Sequence, residues 1–378
     1  MGDGTGDSRA GPLRAFSPPQ RAAIQAILDW YRDSATREFY LAGYAGTGKT
    51  TIASHLIRSM GLRTCVATFT GKAASVLRRK GVPEAGTIHS LIYARVPGSD
   101  PVRFELSPSS ALADADILVI DEVSMVGDEL ANDLRSFGRK TLVLGDPGQL
   151  QPIRGSGAFT CREPDIMLTE IHRQAAGSPI LALATAVREG KEWKDTASAD
   201  AVTITPLTMS RVLEAWQRGS QVLCGTNRAR RGITRRIREA LGYCDAPVRV
   251  GERVICLKND RDLGIYNGML GTVVAADDEN DGRIRLAVLM DDLGAVVEAL
   301  ADPTAFHDHY EGNRWEPRYE RGVARYDFGY AITVHKAQGS EWPDVTVVDD
   351  SAAFREDARR WLYTAFTRAA DRLTVLTR

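Results

Sequence analysis

Gly43-Tyr44-Ala45-Gly46-Thr47-Gly48-Lys49-Thr50 decides the fold. A short apolar run, Phe39–Ala42, precedes it, and helical spacing from about Lys49 to Met60 follows it. Strand, glycine-rich turn, helix is the context in which GxxxxGK[ST] carries a mechanism rather than a chance turn. Glycines let backbone N–H groups turn inward around phosphate oxygens, and the new helix points its positive end at the anion. Gly43, Ala45, Gly46, Thr47, Gly48, Lys49, Thr50 and Thr51 are therefore the candidate nucleotide-binding residues. Lys49 is placed to neutralise the β- and γ-phosphates, and the Thr50 hydroxyl to ligate Mg²⁺.

About 70 residues on, Ile117-Leu118-Val119-Ile120 runs into Asp121-Glu122. A buried strand ending in two carboxylates supplies the other half of a triphosphate site. Asp121 would hold Mg²⁺, largely through water, and Glu122 would polarise the attacking water as general base. Cys65–Phe69 and Thr141–Leu144 are further apolar runs leading into polar turns, as buried parallel strands do. After about residue 175 the pattern partly repeats. Gln221–Cys224 reads as a strand and Asn227–Leu241 as a helix, while Val345–Val348 and Leu373–Leu376 read as strands flanking a helix over Arg355–Arg368. Between Val250 and about Arg325 the texture changes. Glu252–Leu257, Gly271–Ala275, Ile284–Met290 and Val296–Leu300 are β-like runs joined by Asp, Gly and Asn turns.

The remaining composition excludes other classes. The 378 residues suggest two to three domains at about 150 residues each. With 48 Lys+Arg against 49 Asp+Glu, binding through bulk positive charge is excluded, though a local basic groove is not. Five cysteines, none in a CxxC pair, argue against a disulfide framework or a zinc site of usual spacing. Residues 1–15 read as a disordered lead-in, neither a secretory signal nor a myristoylation site, and no apolar run is long enough to span a membrane. The cytoplasm is the expected location.

A P-loop alone is shared by many enzymes. Later motifs narrow the reading. Leu144-Gly145-Asp146-Pro147-Gly148-Gln149-Leu150, Leu168-Thr169-Glu170-Ile171-His172-Arg173-Gln174, Tyr330 to Glu341 (YAITVHKAQGSE) and Leu362 to Ala369 (LYTAFTRA) follow in order. They closely resemble motifs III to VI of superfamily 1 helicases. Val66–Ala74 and Gly86–Leu91 resemble motifs Ia and Ib, and Ser17–Gln20 resembles the Q motif. The chain is most similar to the RecD/Dda-like branch, from about residue 16 to the C-terminus. That resemblance implies an α/β fold of two RecA-like parallel-sheet P-loop domains, residues 16–175 and 176–378. A small β-hairpin is inserted in the first (93–106) and a small β-barrel in the second (250–325).

The resemblance also implies roles. Gln20 would read adenine. Gln149 would sense the γ-phosphate or the attacking water. Arg173 and Arg368 would act as arginine fingers, and Gly339 and Glu341 would lie near the γ-phosphate and ribose. Phe69, Thr70, Lys72, Thr87 and His89 would face a DNA strand on the first domain, and Thr333, His335 and Lys336 on the second. The hairpin would separate strands, and the barrel would close over DNA. The expected activity is 5′-to-3′ translocation on single-stranded DNA with duplex unwinding, powered by ATP and Mg²⁺. Single-stranded DNA, single-/double-strand junctions and replication or recombination proteins are the expected partners of a monomer. A translocase that strips bound proteins and an ATP-switched subunit of a recombination complex are the alternatives.

Three details are left to the structure. Arg228, Arg231, Arg235 and Arg238 share one helix face, either solvated or DNA-contacting, and Asn227 and Arg230 match a TNxxR pattern of the branch. Phe306, Tyr310, Trp315, Tyr319 and Tyr326 either pack the barrel or stack on bases, with packing favoured. Motif III usually continues with two prolines after its leucine; here Gln151 takes the place of the first.

Overall fold

A computed structural model describes residues 16–32, 35–96, 104–152, 157–170, 177–193, 201–244, 248–260, 262–278, 282–311 and 322–378. The lead-in over residues 1–15, the hairpin tip, Arg173, Trp315 and Tyr319 lie outside the described residues, as does the side chain of Tyr310. Contacts divide the chain into two compact units. The first comprises residues up to Ala67, Ser107–Pro147 and Gln151–Ala176; the second comprises Thr68–Leu106, Gly148–Leu150 and Gly177–Arg378. Thr68–Leu106 and Gly148–Leu150, expected within the first domain, thus pack with the second.

In the first unit Ile117–Asp121, Lys140–Gly145, Glu38–Gly43 and Ile166–Leu168 pair in parallel in that order, with Thr64–Thr68 beside Ile117–Asp121. Register sets Tyr40 and Ile120 on either side of Val143. All five residues of Ile117–Asp121 are buried, as are the last five of Glu38–Gly43. Strands covered on both faces read as continuous apolar runs, which is why they were legible. The helix Pro18–Arg32 opens on Ser17, whose hydroxyl accepts from the Gln20 N–H, and buries Ala23, Ile24, Ile27 and Trp30 along one face.

The second unit repeats the architecture. Ala331–Thr333, Gln221–Cys224, Trp342–Val348, Ala369–Thr377 and Val202–Pro206 form a five-stranded sheet in that order, parallel throughout. The expected helix over Arg355–Arg368 begins later. Ser351–Asp357 is a kinked 3₁₀ segment, and the α-helix runs Ala358–Phe366. Arg355 causes the break, because its φ of 48° and ψ of −109° cannot continue a helix.

The inserted sheet orders Val323–Ala324, Ala295–Ala301, Ile284–Met290, Leu270–Asp278, Arg253–Cys256 and Tyr326–Phe328. Its two end strands are separated in the chain by Arg325 alone, so the sheet curls back on itself into a nearly closed barrel. A bulge at Val274 between Val273 and Ala275 adds to the bend. Phe306 and Tyr326 are buried in this barrel, and the Phe306 and Phe328 rings lie 4.9 Å apart, so these two aromatics pack.

On the arginine helix, Arg228 and Arg235 are exposed as a solvated or strand-contacting face requires, but Arg238 departs from both readings. Arg238 is fully buried and forks onto the equally buried Glu252, with bonds of 2.6 and 3.1 Å. Glu252 also accepts from the Tyr330 hydroxyl at 3.0 Å and the Arg249 N–H at 2.8 Å. The guanidinium lies 4.2 Å over the Phe328 ring. Arg230 pairs with Asp327 at 2.6 Å. Two of the helix's arginines therefore fasten it to the barrel. Cys224 and Cys256 are buried too, and burial pushes both thiols up to about 12, so they stay protonated and inert. No described helix is long and apolar enough to cross a membrane.

Candidate nucleotide site and strand-facing surface

The glycine-rich turn closes on itself in the first unit. Gly46 and Gly48 have φ of 80° and 86°, and Gly48 caps the Lys49–Met60 helix in the left-handed conformation. A Cβ at Gly48 would lie 2.5 Å from Gln20 Nε2. Backbone and side chain therefore both require glycine there. Lys49 Nζ donates to the carbonyls of Gly43 (2.7 Å) and Tyr44 (3.1 Å), which stretches the side chain back across the loop mouth. Thr47 Oγ1 donates to the Tyr44 carbonyl.

Gln20 braces this loop. Its amide donates to the Thr47 carbonyl at 3.1 Å and accepts from the Ser17 N–H at 3.1 Å, and the side chain is buried. These bonds tie the Q motif to the phosphate loop and use one of the amide's two N–H groups and one of its two acceptor sites.

Thr50 Oγ1 donates to Asp121 Oδ2 at 2.9 Å, and Asp121 Oδ1 accepts from the Glu122 N–H at 2.9 Å. The hydroxyl and carboxylate expected to hold Mg²⁺ thus converge. Two hard oxygen donors, with water and phosphate completing the shell, suit that ion. No cluster of three or more His, Cys, Asp or Glu side chains among the described residues is arranged to hold a metal instead. Glu122 sits at φ 55°, ψ 47°. A non-glycine residue in this region costs on the order of 1–2 kcal/mol.

Gln149 is buried, and its Oε1 has no hydrogen-bond partner among the described residues. A buried acceptor left open is a place for a water or ligand donor. Its neighbour Leu150 is pinned on both sides: its N–H donates to Thr364 Oγ1 (2.9 Å) and its carbonyl accepts from Gln338 Nε2 (3.1 Å). Gln151, the departure from the motif, accepts from the Gly157 N–H and Thr160 Oγ1, so an amide anchors the following loop where proline would have stiffened it.

Arg368 is buried in the second unit. Its guanidinium donates to the carbonyls of Thr364 and Ser340 and to Thr367 Oγ1, each at 3.0 Å. These use three of five donors, leaving one N–H on each terminal nitrogen, the fork that suits a phosphate. Gly339 has φ 72°, and a Cβ there would lie 3.1 Å from the Ala73 Cβ. Glu341 is exposed.

The residues expected to face a strand separate into groups. Thr70, Thr87 and Thr333 are all helix N-caps, accepting from the N–H groups of Ala73, Ser90 and Lys336 respectively. Thr87 forms a full capping box with Ser90. Their threonine identity is explained locally before any ligand is considered. Phe69, His89 and Tyr93 form an aromatic row with centroid spacings of 6.1 and 5.8 Å, and His89 is exposed. Lys336 is exposed.

Lys72 is placed otherwise than expected. Its side chain is 9% exposed, held 3.7 Å from Asp292 and 4.6 Å from the Trp342 ring centroid. Burial holds its ammonium below the usual lysine range, against the pull of Asp292 and Asp291. Arg79 also pairs with Asp292, and Arg78 lies over Tyr266. Asp292, Trp342 and Tyr266 carried no sequence signal, because none lies in a motif defined by its own spacing. The expected hairpin is present, with Tyr93–Arg95 pairing antiparallel to Phe104–Leu106 and Phe104 and Leu106 exposed.

A phosphate loop on a parallel sheet, facing a strand that ends in Asp-Glu, defines a P-loop protein of RecA-like build. A family model described as an AAA domain matches residues 15–205, and one described as a UvrD-like helicase C-terminal domain matches residues 328–376. The chain belongs to this AAA-domain family, and its sequence is similar to helicases of the RecD kind. It is 31% identical over 358 residues to the ATP-dependent RecD2 DNA helicase of Deinococcus radiodurans, across 88% of this chain and 46% of that protein. It is 27% identical over 402 residues to a probable conjugal transfer protein TraA of Sinorhizobium fredii, across 95% of this chain and 32% of that protein. The chain thus spans less than half the length of these curated relatives. Its fold is similar to that of Bacteroides Pif1 bound to single-stranded DNA, with a TM-score of 0.60 at 21% identity over 95% of this chain and 91% of that one.

Proposed function

We propose that this chain is an ATP-dependent DNA helicase that moves 5′ to 3′ on single-stranded DNA and unwinds duplex. The observation that carries the proposal is the meeting of Thr50 and Asp121 beside the loop that Lys49 crosses, with Glu122 the next residue of the chain. Lys49 neutralises the terminal phosphates, leaving its carbonyl partners when nucleotide arrives. Thr50 and Asp121 would hold Mg²⁺, which when bound offsets charge between the β- and γ-phosphates. Glu122 takes a proton from the attacking water, and Gln149, with its open acceptor, orients that water. Arg368 offers its two remaining N–H groups to the transferring phosphoryl group, and Arg173 is assigned the same role. Thr51 and the glycines of the loop shape the cradle.

The relatives support the DNA assignment: one is named a DNA helicase, and a fold neighbour was solved on single-stranded DNA. His89 with its aromatic neighbours, and His335 with Lys336, are the proposed strand contacts. The Tyr93–Leu106 hairpin, with exposed Phe104, is the proposed strand-separating wedge. Strand displacement from duplexes carrying either a 5′ or a 3′ single-stranded tail tests the proposal. The 5′-tailed substrate should be unwound and the 3′-tailed one left intact. Translocation without displacement of either strand would favour a protein-stripping translocase.

A further inference from the structure

Among the described residues, only Glu122 and Arg355 are non-glycine residues at positive φ. Glu122 belongs to the nucleotide site. Arg355 belongs to no motif. Its φ of 48° and ψ of −109° match the first central position of a type II′ turn, where glycine is strongly preferred. The neighbouring Phe354 and Asp350 hold the turn, and the Arg355 side chain adds nothing to it. The Arg355 side chain is exposed and makes no hydrogen bond or ion pair with the described residues. Strained conformations held in place by their surroundings cluster where a ligand is met.

The surroundings indicate which ligand. Gln221–Cys224, Ala331–Thr333 and Trp342–Val348 are parallel, so their C-terminal ends share one edge of the sheet. His335 and Lys336 follow one of these ends, and the Ser351–Asp357 segment follows another. Phe354 fills the space between. Its ring stacks on Trp361 at 5.5 Å with planes 16° apart and meets the His335 ring at 5.8 Å. The close fit extends to Gly225, where a Cβ would lie 2.7 Å from Phe354 Cε2. Trp361 is fully buried, so this aromatic wall is anchored in the core. Gly225 and Asp350 lock the start of the segment, the Gly225 N–H donating to Asp350 Oδ2 at 3.1 Å.

We infer that the Ser351–Asp357 turn is a further single-strand contact on the second unit, in which Arg355 grips a backbone phosphate while Phe354 holds the His335 ring against the strand. The inference rests on the proposed DNA-binding function, since His335 and Lys336 define the strand's side of the sheet. Backbone phosphate is the chemistry a free guanidinium meets, and an aromatic wall beside it supports unpaired bases. Arg355 is thus a binding residue and Phe354 a positioning residue.

The test is binding of a fluorescent oligothymidylate by anisotropy across a salt series, with thermal melting of each variant. Arg355→Gly should melt at or above the wild-type temperature, since glycine relieves the turn. It should nevertheless bind several-fold more weakly, with the slope of log K against log salt smaller by about 0.7. Arg355→Lys should keep the slope. Phe354→Leu should weaken binding while Lys336→Ala adds little further loss, because both act through the same stretch of strand. Wild-type affinity and slope in Arg355→Gly, alongside weakened binding in Lys336→Ala, would overturn this inference and leave the functional reading intact. A fall in melting temperature matching the loss of affinity would also overturn it, by making Arg355 structural. Failure of the wild-type protein to bind the oligonucleotide would remove the functional reading itself.

Discussion

The two parallel sheets have the same build and different equipment at their strand ends. In the first unit, Glu38–Gly43 ends in the glycine-rich loop and Ile117–Asp121 ends in Asp-Glu, so both ends present charge to a triphosphate. In the second unit, the strands at Cys224 and Thr333 run into threonine-capped helices, and Val348 leads to the strained turn at Arg355. No phosphate loop appears among the described residues of the second sheet. The difference shows that the scaffold does not assign chemistry. Residues at the strand ends do, and under the proposed function one sheet serves hydrolysis while the other holds the strand.

The largest expected effect falls on the first sheet. Glu122→Gln should lower ATP turnover about 10²- to 10⁴-fold while nucleotide binding persists, because the amide keeps the turn and loses the base. Single-turnover phosphate release with a parallel nucleotide-binding assay separates the two. Loss of binding instead would make Glu122 a structural residue and dissolve the contrast between the sheets.

The next effect belongs to the second unit and concerns stability. Arg238→Ala leaves Glu252 buried without its partner and should cost about 3–5 kcal/mol, read as a lower unfolding midpoint. ATP turnover by the protein that remains folded should change little. A variant as stable as wild type would mean that the helix and barrel do not depend on this ion pair.

The smallest effect sharpens the division between two lysines that the helicase motifs treat alike. Burial holds both ammoniums below the usual lysine range, but Lys336 is exposed whereas Lys72 is enclosed by Asp292 and Trp342. Lys336→Ala should weaken single-strand binding several-fold and reduce its salt dependence, whereas Lys72→Met should leave affinity within about twofold. The reverse ranking in an anisotropy titration would show that Lys72 leaves its enclosure to meet DNA.

The nucleotide site was legible because its chemistry demands rare residue types at fixed spacing: glycines at 46 and 48, a lysine at 49, carboxylates at a strand end. The parallel sheets were legible because strands buried on both faces are continuous apolar runs. The short strands Val202–Pro206 and Ala331–Thr333 were not read as strands, since each is only three to five residues long and lacks flanking periodicity. Arg238 misled because helical spacing identifies a shared face, not what covers it; its cover, Glu252 and Tyr330, comes from the two ends of the barrel insertion. The capping role of Thr70, Thr87 and Thr333 was available from local sequence, since each directly precedes a helix. The family motif drew attention past it. Trp342, Asp292 and Phe354 acquire partners only through tertiary structure, so no sequence spacing announces them.

The most direct test of the central claim is steady-state ATP hydrolysis measured with and without single-stranded DNA, for the wild-type protein and Lys49→Ala. A motor whose two sheets divide hydrolysis from grip should show turnover strongly stimulated by the strand, and the stimulated turnover should disappear in Lys49→Ala. Turnover indifferent to single-stranded DNA, or unchanged by loss of the lysine, would contradict that account.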